Sequence, residues 1–149
     1  MGSDNRGISA LRPYLPDDYC ADAARLAMAR NGTVLIATGF YILSGNAVET
    51  DGPPGALAIG RALGSLGREV VYVTDPHGAG VMRAVAGDAA VIVEFPVAGA
   101  TESDTFAQAL ASRYEPSLLV AIERCGASAD GLYRNMRGVD ISEHTAKLD

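Results

Sequence analysis

The chain has 149 residues and a mass of 15.4 kDa, enough for one compact core and too little for two comfortable ones. Hydrophobic residues make up 48% and charged residues 20%, which excludes a disordered chain. Twelve Lys and Arg against eighteen Asp and Glu leave a formal charge of −6, with no Trp and 6% aromatics, so neither a broad phosphate-binding surface nor base stacking on nucleic acid is expected.

Taken in chain order, residues 1–16 read as a loosely packed arm. The first six are polar and lack the apolar core of a secretion signal. Asp17 and Asp18 are placed to cap a helix running to about Arg30, which Asn31-Gly32 ends. Thr33 to Ala37 is a short apolar run. Pro53 and Pro54 suit the first turn of a second helix, continued by Ala56 to Leu66 and closed by Gly67. Gly60, Gly64 and Gly67 read as the close-packing face of a helix lying tightly on a sheet. A second apolar run, Glu69 to Thr74, precedes a helix from about Pro76 to Gly87, and a third run spans Ala90 to Phe95. Ser103 or Asp104 caps a fourth helix with a stripe of Phe106, Ala109, Leu110 and Arg113. The fourth run is Ser117 to Ile122.

The interiors of these runs are continuously apolar rather than alternating, the pattern of strands buried on both faces of a parallel sheet. The fold class expected is α/β: one domain over 1–149, a parallel sheet of about four or more strands, helices on both faces, right-handed crossovers and a Rossmann-like three-layer arrangement. No apolar run approaches the roughly 18 residues of a membrane span. Cys20 and Cys125 lie far apart and form no CxxC pair. A soluble chain in a reducing cytoplasm, without membrane or nucleic-acid partners, is the expectation.

Open parallel sheets bind ligands beyond the carboxyl ends of their strands, and polar residues stand at each such end. Strand one runs into Thr38-Gly39-Phe40, strand two into Thr74-Asp75-Pro76-His77, and strand four into Glu123-Arg124, while strand three carries Glu94. Asp75 is either a solvated loop residue or part of a site. Glu123, directly after a buried strand, needs a cation, a metal or donors to stay charged. The segment Glu49-Thr50-Asp51-Gly52-Pro53-Pro54-Gly55-Ala56 sets two acids before a turn and a helix, whose N-terminus suits a carboxylate or phosphate. Asp51 is equally readable as that helix's N-cap. Neither GxxxxGK[ST] nor GxGxxG occurs, so no nucleotide cofactor is expected.

The block from Glu123 to Ser142 holds three arginines, among them Arg124 and Arg137, with Asp130, Asn135 and Asp140. It is either a carboxylate clamp or a surface loop with internal ion pairs. The two histidines, His77 and His144, show no ligand spacing and read as surface residues. A divalent metal would then rest on carboxylates, favouring magnesium, manganese or calcium over zinc. Cys125 has no activating partner in the sequence and reads as an inert small residue.

Thr38-Gly39-Phe40, ETDGPPGA at Glu49 to Ala56, Thr74-Asp75, Glu123-Arg124 with Gly126, Asp130-Gly131 and NMRGVDIS at Asn135 to Ser142 together resemble the C-terminal domain of the D-glutamate cyclase family. The resemblance spans roughly Thr33 to Asp149. Family domains of this type continue further, so it implies that the chain is the N-terminal part of a longer domain. Cys125 stands where the family pattern has proline.

The resemblance implies a hydro-lyase that closes D-glutamate to 5-oxo-D-proline with loss of water. Such a reaction needs a base for the amine, help for the departing oxygen and a curled substrate. On that footing Asp51, Glu123 and Asp140 are the catalytic candidates. Thr38, Gly39, Gly52, Arg124, Asn135 and Arg137 are the substrate-binding ones, with the arginines and the helix end after Gly52 holding carboxylates. Glu49, Asp51, Asp75 and Glu123 are the ligands for a divalent Mn or Mg. A small amino-acid substrate and a homo-oligomer are expected. The alternatives are a metal-dependent phosphoester hydrolase and a non-catalytic small-molecule or metal-binding module.

Overall fold

The computed structural model describes residues 7–149, and the chain divides between Asn31 and Gly32 into two compact units. In the first, a 3-10 helix spans Ile8–Tyr14 and helix α1 spans Tyr19–Met28. Helix α1 stops short of Arg30, and Asp18 takes its N-cap position without a side-chain cap bond. None of its residues is buried. Residues 1–6 of the expected arm lie outside the described residues; further along it, Arg12 donates to the Pro16 carbonyl at 3.2 Å.

The second unit carries the sheet. In chain order it has β1 (Val34–Thr38), a small ribbon of β2 (Tyr41–Ile42) and β3 (Ala47–Val48), α2 (Gly52–Ser65), β4 (Val70–Thr74), α3 (Pro76–Ala86), β5 (Val91–Glu94), α4 (Ala100–Tyr114) and β6 (Leu118–Ile122). A short 3-10 helix at Ser142–His144 follows. All four predicted strands are present, each within one residue of its expected ends. They form one parallel sheet in the order β5-β4-β1-β6.

The pleat sends Leu35, Val71 and Val73 to one face and Ile36, Thr38, Tyr72 and Thr74 to the other. Helices α2 and α3 cover the second face. Helix α2 lies so close that a Cβ on Gly60 would collide with the Tyr72 ring and hydroxyl. Gly64 and Gly67 face open space instead, so the close-packing face predicted from three glycines rests on Gly60 alone.

Helix α4 covers part of the first face, where Leu35, Val71, Val73, Phe95, Leu110 and Ala146 form a core cluster. The expected burial of every strand on both faces fails at the sheet edges, where Val91 of β5 and Leu119 of β6 are exposed. Phe106 meets Phe95 edge-on at 4.8 Å. This helix begins a turn earlier than its sequence suggests, with Gly99 at the N-cap position. Ser103 is therefore an inward residue of the helix, its hydroxyl donating to the Ala98 carbonyl at 3.4 Å. The inward stripe is Ser103, Phe106, Ala107, Leu110 and Tyr114, while Ala109 and Arg113 are exposed. Among the described residues no helix is long and apolar enough to cross a membrane.

The order of the strands locates the crevice. From β1 the chain winds through α2 to β4 and through α3 to β5, then returns by α4 on the opposite face to β6, beside β1. Winding direction thus reverses between β1 and β6, and ligands of open parallel sheets bind beyond the carboxyl ends at such a reversal.

Candidate active site

At that reversal β1 leaves through Thr38 and Gly39, and β6 leaves through Glu123 and Arg124. Gly39 has φ +128 and Glu123 φ +46, the latter a left-handed conformation that costs a non-glycine residue about 1–3 kcal/mol. Helix α2 starts between the two strand ends. A Cβ on Gly52 would stand 2.6 Å from Thr38 Oγ1 and 3.0 Å from Glu123 Cβ, so only glycine lets the helix end settle there.

Asp51 occupies the N-cap position of α2 but makes no cap hydrogen bond. The reason is local. A capping side chain accepts from the second or third helical N–H, and those residues are Pro53 and Pro54, which have none. The carboxylate is left free to join two others. One oxygen from each of Glu49, Asp51 and Glu123 lies within 4.8 Å of the other two. Glu49 is held by donating its N–H to the Phe40 carbonyl at 2.7 Å.

Three carboxylates this close are a donor set that could hold a cation, either a metal ion or an ammonium group. Beneath them the Thr38 hydroxyl is fully buried and makes no hydrogen bond. The same arrangement changes the reading of the α2 N-terminus. Two of its first donors are missing and carboxylates surround it, so it is a poor anchor for a substrate carboxylate; Gly52 contributes close approach instead.

Asp75 stands apart from this cluster. It forms a buried ion pair with Arg124 at 3.2 Å, each side chain 4% exposed. Arg124 also donates to the Gly39 carbonyl at 3.4 Å and to the Ala146 carbonyl at 2.6 Å. The guanidinium expected to clamp a substrate carboxylate is thus spent on the protein's own oxygens, because it lies inside the fold rather than at its rim. Thr74 Oγ1 and Asp75 Oδ1, both buried and unpaired, lie 3.0 and 3.6 Å from where a Cβ on Gly39 would sit.

The segment after β6 builds its own loop. Asn135 accepts from the N–H groups of Arg137 and Val139 at 2.9 and 3.1 Å. Asp140 accepts from the Ser142 N–H and hydroxyl at 2.9 and 2.5 Å, and those two donors hold its carboxyl below the ordinary range. Arg134 pairs with Asp130 at 2.6 Å. Asn135 and Asp140 therefore serve turns, and neither is in the carboxylate cluster; Arg137 is exposed.

Burial pushes the Cys125 thiol up, only partly offset by the Thr145 hydroxyl and Arg124. Burial and the neighbouring Asp149 push the Tyr133 hydroxyl up. Burial works against the charge of Asp149, yet donors at Ala127 and Tyr133 outweigh it and hold that carboxyl low.

Sequence reasoning treats His77 and His144 as unrelated. The structure packs both on Tyr41, with ring centroids 4.9 Å away for His77 and 4.1 Å, stacked, for His144. The only available hint is that both follow strand ends or turns. Tyr41 pairs with Val48 across the ribbon.

A family model described as "D-glutamate cyclase-like, C-terminal" matches residues 1–149. A human protein named "D-glutamate cyclase, mitochondrial" is 33% identical over 164 aligned positions, which cover 97% of this chain and 25% of the human protein. The chain thus spans about a quarter of the length of that relative. The match runs through both segments that supply the clustered carboxylates, Glu49 to Asp51 and Glu123, and through the sheet that brings them together. The chain belongs to the D-glutamate cyclase-like C-terminal domain family.

Proposed function

We propose that this domain takes part in the cyclisation of D-glutamate to 5-oxo-D-proline with release of water. The observation that carries the reading is the convergence of Glu49, Asp51 and Glu123 within 4.8 Å at the sheet's reversal point, in a chain of this family. In the reaction a C–N bond forms between the substrate nitrogen and its γ-carboxyl carbon, and one C–O bond of that carboxyl breaks. The ammonium gives up two of its three protons, and both leave with the departing oxygen as water.

Asp51 and Glu123 are exposed enough to meet substrate and are suited to take the first ammonium proton and return it to the leaving oxygen. Glu49, Asp51 and Glu123 would hold a divalent Mn or Mg, an oxygen-ligand set that hard cations prefer; the Thr38 hydroxyl buried beside Gly52 fits a site still lacking one partner. Such an ion supplies Lewis acidity toward the carboxyl oxygen. Arg137, exposed on its turn, is the cation we assign to a substrate carboxylate. The free thiols of Cys20 and Cys125 fit a reducing compartment such as the cytoplasm.

Turnover of D-glutamate, with and without Mn2+, tests the reading in a full-length homologue carrying Asp51→Asn and Glu123→Gln at the matching positions. Each variant should lose on the order of 100-fold or more in kcat, and wild-type rates in both would overturn the assignment. The carboxylate cluster also favours a second reading, metal-dependent phosphoester hydrolysis. It predicts Mn2+-dependent release of phosphate from a generic ester and indifference to D-glutamate.

A further inference from the structure

We infer that Arg124 is a positioning residue: by fixing the backbone after β6 it holds Glu123 in the left-handed conformation that delivers its carboxylate to Glu49 and Asp51. The inference rests on reading those three acids as a cation site. In an extended strand successive side chains point to opposite faces. Ile122 faces α2, its Cγ2 standing 3.5 Å from the Cβ position of Gly55. An extended Glu123 would therefore point away from α2, to the opposite face of the sheet, where Leu119 and Ala121 of the same strand are exposed. Instead Glu123 Cβ lies 3.0 Å from the Cβ position of Gly52, at the start of α2. The change of side coincides with φ +46 at Glu123.

That conformation is unfavourable for glutamate and persists only where the surroundings hold it. Among the described residues no side-chain hydrogen bond or ion pair holds Glu123 itself, while the next residue is pinned at three points. Arg124 reaches Asp75 at the end of β4, the Gly39 carbonyl at the end of β1 and the Ala146 carbonyl near the end of the chain. Both members of the ion pair are buried, where an unpaired charge is costly, so the side chain cannot swing out to let the backbone relax. Arginine suits this task because its planar fork serves several acceptors at once; a lysine ammonium is a point charge on a flexible stem.

The experiment uses the purified chain and two readouts. The first needs no metal: the three-bond couplings of the Glu123 amide proton to Hα and to Cβ by NMR, which together report the sign and size of its φ. The second is Mn2+ affinity by calorimetry. Arg124→Lys and Asp75→Asn should each lose the positive-φ coupling at Glu123 and weaken Mn2+ binding at least ten-fold. Leu110→Ala, in the core cluster beneath α4, serves as a destabilised control and should change neither. Should the coupling persist in both variants, or Mn2+ affinity fall no further than in Leu110→Ala, the positioning role is overturned. Glu49→Gln separates the two levels: unchanged Mn2+ affinity there would overturn the cation reading, while the coupling still decides the role of Arg124.

Discussion

At Gly52 the start of α2 approaches Thr38 and Glu123 so closely that the smallest side chain has no room. Gly52→Ala must push either the buried threonine or the Glu123 backbone aside, at a cost of about 1–3 kcal/mol, or a fall in melting temperature of roughly 2–4 °C per kcal/mol. Gly64→Ala, in the same helix and facing open space, should instead gain about 0.5–1 kcal/mol. Calorimetric melting of the two variants checks the pair, and equal effects would contradict the packing described. Cys125 offers a second measurement. Its thiol is pushed up by burial, whereas Cys20 is exposed, so a thiol reagent at neutral pH should label Cys20 first; faster labelling at Cys125 would reveal an activation that the structure does not contain.

Among the elements, those that carry a period were legible and those that do not were missed. The four parallel strands announce themselves as β-branched apolar runs, yet only β1 and β4 are buried on both faces; the edge strands β5 and β6 carry the same composition with Val91 and Leu119 exposed. Strands β2 and β3 have two residues each, too few to show alternation; the one signal that goes unread is Ser44-Gly45-Asn46, a turn composition that ends in the left-handed Asn46. Helix α4 was mis-started because Ser103 looks like a cap, yet its hydroxyl is turned inward. Around the site, Glu123 was readable as an acid at a strand end and Glu49 and Asp51 as two acids before a turn and a helix, and Pro53-Pro54 holds the reason Asp51 cannot cap. The commitment of Arg124 was not readable, since two of its three acceptors are backbone carbonyls that no residue type encodes.

The loop closed by Asp149 makes its own prediction. Asp149 accepts from the Ala127 N–H at 2.6 Å and from the Tyr133 hydroxyl, and its carboxyl is held below the ordinary 3.8. A carboxyl with a lower value folded than unfolded adds stability above the unfolded value, and that stability is lost as pH falls through the folded one. Asp149→Asn should therefore melt lower than wild type at pH 7, by on the order of 1 kcal/mol once solvent screening is allowed for. The two curves should converge as pH drops below about 4. A gap that widens in acid would have the wrong sign.

For the molecule as a whole, the proposed cation site at the reversal point carries a stability cost that can be measured. Like charges repel by about 1 kcal/mol at 4 Å in water, and here three share one crevice rim on a chain already at −6. Without a bound cation, Glu123→Gln removes one charge from two of the three pairs while keeping side-chain shape. The metal-free variant should melt one to a few degrees above wild type, about 0.5–1 kcal/mol, with the difference shrinking in 1 M salt as the charges are screened. Added Mn2+ should reverse the order, because a ligand that binds the folded state stabilises in proportion to its affinity and the variant has lost one carboxylate. A paired melting series in chelator and in Mn2+ makes the comparison. If wild type is the more stable in chelator, the three acids are already compensated by the fold and the crevice has no stored attraction for a cation.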